Sequence, residues 1–128
     1  MEKEDFRECL RQFVWPVILD HNVAAHKLAA ALRHKYGILS TLCGSRQSLL
    51  DLLNPHVSFL SLNYISNPIL SAEQLVDFAH TYDELILLLI PMNEQQEQFL
   101  SAYEDKLSCY YILSDPKAVF DCSPLDSF

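Results

Sequence analysis

Asp20, His21 and Asn22 stand together between two unlike stretches of chain, and their side chains are suited to chemistry. An imidazole beside a carboxylate is equipped to accept a proton as a general base. The same tripeptide at a helix start can receive an anion on free backbone amides, although the charge of Asp20 opposes one. Ser45 and Arg46 form a second polar pair just after Gly44, and the guanidinium of Arg46 suits a carboxylate or phosphate. Asn93 completes the set, with Asn63, Met92 and Glu94 near it in the expected fold. Five histidines, His21, His26, His34, His56 and His80, occupy five different positions of that fold. None pairs with a cysteine or an acid at metal-ligand spacing, so no metal is expected.

These residues need elements to hold them. Val14-Trp15-Pro16-Val17-Ile18-Leu19 carries no charge and reads as a strand covered on both faces. Pro16 lacks an amide donor, so pairing is expected from Val17 onward. Asp20 is expected to cap the next helix, with Ala24, Leu28, Ala31 and Leu32 on its buried face, Lys27, Arg33, His34 and Lys35 mostly off it, and Gly37 as its left-handed stop. Ile38 to Cys43 reads as a second strand, Ser48 to Leu53 as a helical turn or two before Asn54-Pro55, and His56 to Leu62 as a third strand. Asn63 to Leu70 reads as loop. Ser71 and Gln74 have capping-box form for a helix burying Leu75, Phe78, Ala79 and Tyr82. Leu85 to Ile90 is the most hydrophobic strand and the expected centre of the sheet. Asn93 and Gln96 repeat the capping logic for a helix striped by Phe99, Leu100, Tyr103 and Leu107, and Cys109 to Leu113 forms the last strand. In that strand Tyr110 and Tyr111 divide into one surface ring and one core ring. A short amphipathic helix over Glu4 to Gln12 precedes all of this.

Strands separated by helices imply parallel neighbours joined by right-handed crossovers. The expected product is a three-layer, doubly wound α/β fold with a mostly parallel sheet of four or five strands. Its expected order is 2-1-3-4, with the last strand at the edge. It forms one domain over residues 1–116, followed by a tail over 117–128. In such sheets ligands sit beyond the carboxyl ends of the strands, at the switch point, where Asp20, His21 and Asn22 meet Ser45, Arg46 and Asn93.

Composition excludes several functions. The chain has 128 residues, a formal net charge of −8 and no cluster of Lys or Arg, which argues against nucleic acid or an anionic membrane as partner. No apolar run is long enough to span a bilayer, and the acidic start Met1-Glu2-Lys3-Glu4-Asp5 is no signal peptide, so a cytoplasmic location is expected. Cys9, Cys43, Cys109 and Cys122 are scattered and fit reduced thiols. Two glycines, neither after the first strand, leave no dinucleotide loop and no P-loop. A receiver domain would need an aspartate after the third strand and a lysine after the last, where Asn63 and Asp115 stand. No Gly-x-Ser-x-Gly elbow is present. No cofactor is expected and no catalytic residue is assigned.

Phe13-Val14-Trp15-Pro16-Val17-Ile18-Leu19, a helix closing on Lys35-Tyr36-Gly37-Ile38, Ser40, then Leu88-Leu89-Ile90-Pro91 with Asn93 and a helix ending near Asp105-Lys106-Leu107, resemble the amino-terminal domain of ATP-grasp carboxylate–amine ligases. The resemblance runs from about Phe13 to Pro116 and rests on hydrophobic pattern and turns. It implies a Rossmann-like pre-ATP-grasp unit that packs on nucleotide-binding domains and serves the acceptor-substrate side. The lysines that bind ATP and the acidic magnesium ligands of that family belong to later domains, and this chain is expected to stop before them. At Asp20-His21-Asn22 it departs from the small residues, glycine among them, common in that family.

Two functions follow as expectations. The first is a non-catalytic pre-ATP-grasp-like domain, truncated or free-standing, that binds a small carboxylate or a partner polypeptide such as the missing ATP-grasp domains. An apolar surface including Val119, Phe120 and Phe128 would then drive self-association. The alternative is a small α/β enzyme with its site around Asp20, His21 and Arg46, in which His21 is the general base.

Overall fold

The computed structural model describes residues 13–113. Five parallel strands, β1 (Val14–Ile18), β2 (Ser40–Gly44), β3 (Val57–Ser61), β4 (Ile86–Ile90) and β5 (Ile112–Leu113), form one sheet in the order β3-β2-β1-β4-β5. The helices are α1 (Val23–Tyr36), α2 (Leu49–Leu53), α3 (Pro68–Thr81), α4 (Glu94–Ala102) and α5 (Glu104–Leu107). The expected helix over Glu4 to Gln12, the Asp115-Pro116 turn, the tail over 117–128, Cys9 and Cys122 lie outside the described residues.

The three-layer α/β architecture is as expected, but the strand order is not: β3 sits outside β2, and β4 takes the free side of β1. Composition accounts for this. Ile86-Leu87-Leu88-Leu89-Ile90 offers apolar side chains to both faces and pairs with all five residues of β1. β3 exposes Ser58 and Ser61, which water accepts at an edge. Pro16 is tolerated because β1 meets β2 only from Val17, as expected, while its pairing with β4 begins earlier, at Val14.

Two apolar layers cover the sheet. Ile18, Leu42 and Ile90 pack on Ala25, Leu28, Ala29 and Leu32 of α1. On the other face Val17, Leu19, Cys43 and Leu89 pack on Leu75 of α3, Phe99 and Leu100 of α4 and Leu107 of α5. The α1 face is turned from the expected one, leaving Ala24 exposed and Ala31 half-buried. Asn22, not Asp20, caps α1: its side chain accepts from the amide of Ala25 at 2.9 Å, and Gly37 ends the helix at φ 73°.

α3 begins earlier than its capping-box pattern implies. Asn67-Pro68 starts it, because proline's missing amide costs nothing in a first turn. Ser71 is thereby buried inside the helix, and Tyr82, expected in the core, is 44% exposed. Asn93 caps α4 as expected, accepting from Gln96 N at 2.8 Å, and the helix breaks at Tyr103 before α5. Tyr111 is the core ring and Tyr110 the surface ring.

Candidate functional site

Four successive connections converge beyond the carboxyl ends of the strands. Leu19, Asp20 and His21 follow β1; Cys43, Gly44 and Ser45 end β2; Leu62, Asn63, Tyr64 and Ile65 follow β3; Gln96 comes from α4. Together they line a cavity of about 160 Å³, small for a ligand pocket and close to the size of a space that takes benzene. Leu19 N donates to Ile90 O at 2.9 Å and Leu62 N to Gly44 O at 2.8 Å, so the walls continue the sheet's own hydrogen bonding.

His21 is held from three sides. Its Nδ1 lies 2.7 Å from Asp51 Oδ2, Phe59 packs edge-on at 5.5 Å, and its far edge lies over Gly44. A Cβ at position 44 would come within 2.4 Å of His21 Nε2, so glycine is required there for the ring to sit.

Asp51 organises a larger network. It is buried on α2, and its Oδ1 is 2.7 Å from His26 Nε2 on α1. Ser48 N donates to Asp51 Oδ2 at 2.8 Å, and Asp51 N donates to Ser48 Oγ at 3.2 Å, a reciprocal cap that locks the short helix. Burial pushes the Asp51 carboxyl up. The bonds from the Ser48 amide, His21, His26 and the Ser48 hydroxyl outweigh that and bring it down to about 2.

An ionised Asp51 determines the tautomers around it. Asn54 Oδ1 accepts from His56 N at 2.9 Å, which turns Asn54 Nδ2 toward His26 Nδ1, also at 2.9 Å. His26 Nδ1 must therefore accept, and the ring's single proton sits on Nε2, facing Asp51. His21 donates Nδ1–H to the same carboxylate, which leaves Nε2, lying over Gly44, as the ring's acceptor nitrogen. This is the orientation of a proton-accepting imidazole.

The opposite wall is equally ordered. Asp20 Oδ1 accepts from His21 N at 2.8 Å, and Asp20 Oδ2 accepts from Gln96 Nε2 at 3.1 Å and Asn22 Nδ2 at 3.3 Å. Gln96, 1% exposed, also donates to Tyr64 Oη at 3.1 Å and accepts from Met92 N at 2.6 Å. Tyr64, accepting from Gln96, has its own O–H proton to donate elsewhere. Cys43 is no nucleophile, since burial pushes its thiol well above the ordinary range. Among the described residues no three His, Cys, Asp or Glu side chains are placed to hold a metal.

Of the residues singled out in the sequence, Asp20, His21 and Ser45 line the cavity together with Asn63. Asn22 is spent as the cap of α1, Arg46 is exposed and outside the lining, and Asn93 is spent as the cap of α4. Sequence reasoning missed Asp51, His26, Asn54, Gln96 and Tyr64. A signal existed for Asp51: Ser48 three residues before it repeats the capping form, and it is the one polar residue among four leucines. Nothing local announces that His26, 25 residues before Asp51 and 28 before Asn54, shares a carboxylate with His21.

No helix of the described residues is long and apolar enough to cross a membrane. Compared with protein-family models, curated proteins and solved structures, the chain finds no match.

Proposed function

We propose that this protein is a non-catalytic, pre-ATP-grasp-like binding domain whose cavity at the carboxyl edge takes a small carboxylate. The observation that carries the reading is the cavity wall itself, where His21, Tyr64 and Gln96 are oriented by buried partners before any ligand arrives. Preorganised polar groups around a small space are what binding requires. A ligand carboxylate would meet the Tyr64 hydroxyl beside His21, with Asp20 kept from the ligand by its bonds to His21 N and Gln96. The first turn of α1 does not favour a nucleotide phosphate, because Asn22 Oδ1 takes the Ala25 amide and Asp20 places a negative charge beside the turn. Reduced Cys43 and Cys109 accord with a cytoplasmic location.

Calorimetry on the whole chain tests this. Titration with magnesium and ATP is expected to give no heat, while acetate, glycine and succinate, tried in turn, should include a saturating ligand whose binding His21→Ala weakens at least tenfold. Saturable ATP binding would overturn the reading.

A second reading, a small enzyme with His21 as general base, is favoured by one observation: Asp51 takes the Nδ1 proton of His21, a residue of the cavity lining, and leaves Nε2 as its acceptor. It requires that His21→Ala abolish a proton-transfer activity found by substrate screening. Turnover unchanged by that substitution would remove it.

A further inference from the structure

Charge is sorted along this chain, and the fold turns the sorting into geometry. Between His21 and Ala72 the only carboxylate is Asp51, which is buried, against Lys27, Arg33, Lys35 and Arg46. From Glu73 to Leu113 the only cation of the Lys or Arg type is Lys106, among carboxylates that include Glu73, Asp77, Glu94 and Glu97. α1 packs on one face of the sheet, and α2 joins it there through Asp51 and His26. α3, α4 and α5 pack on the other. Among the described residues, the Lys and Arg cations therefore gather mostly on the α1–α2 side and the exposed carboxylates on the α3–α5 side.

Each side also bears apolar surface of its own. In α2 the usual pattern is inverted: Asp51 is its buried residue, while Leu49, Leu50, Leu52 and Leu53 are 70%, 47%, 65% and 70% exposed. Exposed Arg46 lies just ahead of them. On α3, Ile69 and Leu70 are 65% and 49% exposed, and exposed Glu73 and Asp77 follow Ile69 at intervals of four, along one stripe of the helix. Leucines edged by a cation thus face one way, and isoleucine and leucine edged by carboxylates face the other.

We infer that the leucine face of α2 docks on the α3 stripe of a second copy of this chain, head to tail. The two patches differ in sign and lie on opposite faces of the sheet, so each copy offers one of each and the contact is heterologous. Four leucines on one side and two aliphatic side chains on the other lie at the small end of interface sizes, below about 1,200 Å² in total, which belongs with weak association. Charge complementarity then supplies the specificity and the salt dependence. This contact does not rest on the ligand reading.

Sedimentation velocity of the full chain, from low micromolar to near-millimolar, tests it. At low salt the mean mass should rise with concentration and pass that of a dimer; at about 1 M salt, where the screening length is about 3 Å, the rise should shrink. Leu52→Ser with Leu53→Ser, and separately Glu73→Lys with Asp77→Lys, should each weaken association at least tenfold, with near-ultraviolet circular dichroism confirming the fold. Mixed together, these two double variants retain one intact patch each and should form a 1:1 pair that grows no further. Should the first fail to fold, Leu49→Ser reads the same face. A wild type monomeric throughout, association indifferent to the Glu73 and Asp77 changes, or a mixture that does not pair would each overturn the inference.

Discussion

The position of His21 depends on the residue beneath it having no side chain. With a Cβ at Gly44 the ring would have to leave, taking its Nδ1–H from Asp51. Gly44→Ala is therefore expected to cost about 1–3 kcal/mol, the price of leaving a buried polar group short of a partner. Nitrogen chemical shifts of the His21 ring should show the loss of the fixed tautomer; an unchanged spectrum would mean that the ring has room. Asp51 makes the second prediction. Its carboxyl is depressed in the folded state to about 2 from an ordinary value near 4, so its contribution is present above about pH 4 and is lost as pH falls toward 2. The contribution is on the order of 2 kcal/mol. Asp51→Asn should lower the melting temperature at neutral pH and flatten the acid limb of the stability curve relative to wild type. Parallel acid limbs in the two proteins would show that other carboxylates govern it.

At the scale of elements, α2 and α3 both put a polar residue inside. In α2 it is satisfied three times over, by Ser48 N and two imidazoles, and one short helix thereby joins α1 to the strand ends. In α3 it is not: Ser71 Oγ is buried with no hydrogen-bond partner. A buried hydroxyl without a partner costs its full desolvation, so Ser71→Ala is expected to leave stability unchanged or raise it by up to about 1 kcal/mol. A denaturant midpoint that falls in the variant would contradict this. The strands carry a polar link of their own. Trp15 Nε1 donates to Thr41 Oγ1 at 2.8 Å, and Thr41 Oγ1 lies 2.7 Å from Ser58 Oγ, tying β1, β2 and β3 across the sheet. Helix types and approximate centres were legible from apolar spacing and from Asn93, Gly37 and the proline breaks. The α1 cap and the α3 start were not, because Asp20 and Asn22 are equally good caps in isolation, and Asn67-Pro68 reads as loop or as helix start until tertiary packing chooses.

For the whole molecule, Tyr111 closes the thin edge of the sheet. β5 holds only Ile112 and Leu113, and Tyr111 Oη donates to Leu75 O of α3 at 2.6 Å, anchoring that edge to the helical layer. Tyr111→Phe should cost about 1 kcal/mol and should raise hydrogen exchange first in β5 and its partner residues Leu88 and Leu89 in β4. Uniform acceleration across all strands would show that the edge unfolds only with the rest.

The amino-acid sequence by itself determined the layered parallel α/β class, since uncharged strands alternating with amphipathic helices have few other ways to bury their faces. It also placed Asp20, His21 and Ser45 at the carboxyl edge, because parallel crossovers bring every strand end to the same side. Strand order was decided by tertiary competition: β1 had two free sides, and Leu-rich β4 and serine-bearing β3 were allotted by how much surface each could bury. The His21, Asp51, His26 and Asn54 network was decided there too. Its members are up to 33 residues apart in sequence, and a hydrogen bond needs about 2.7–3.2 Å between atoms, a condition set only when α1 and α2 settle on one face.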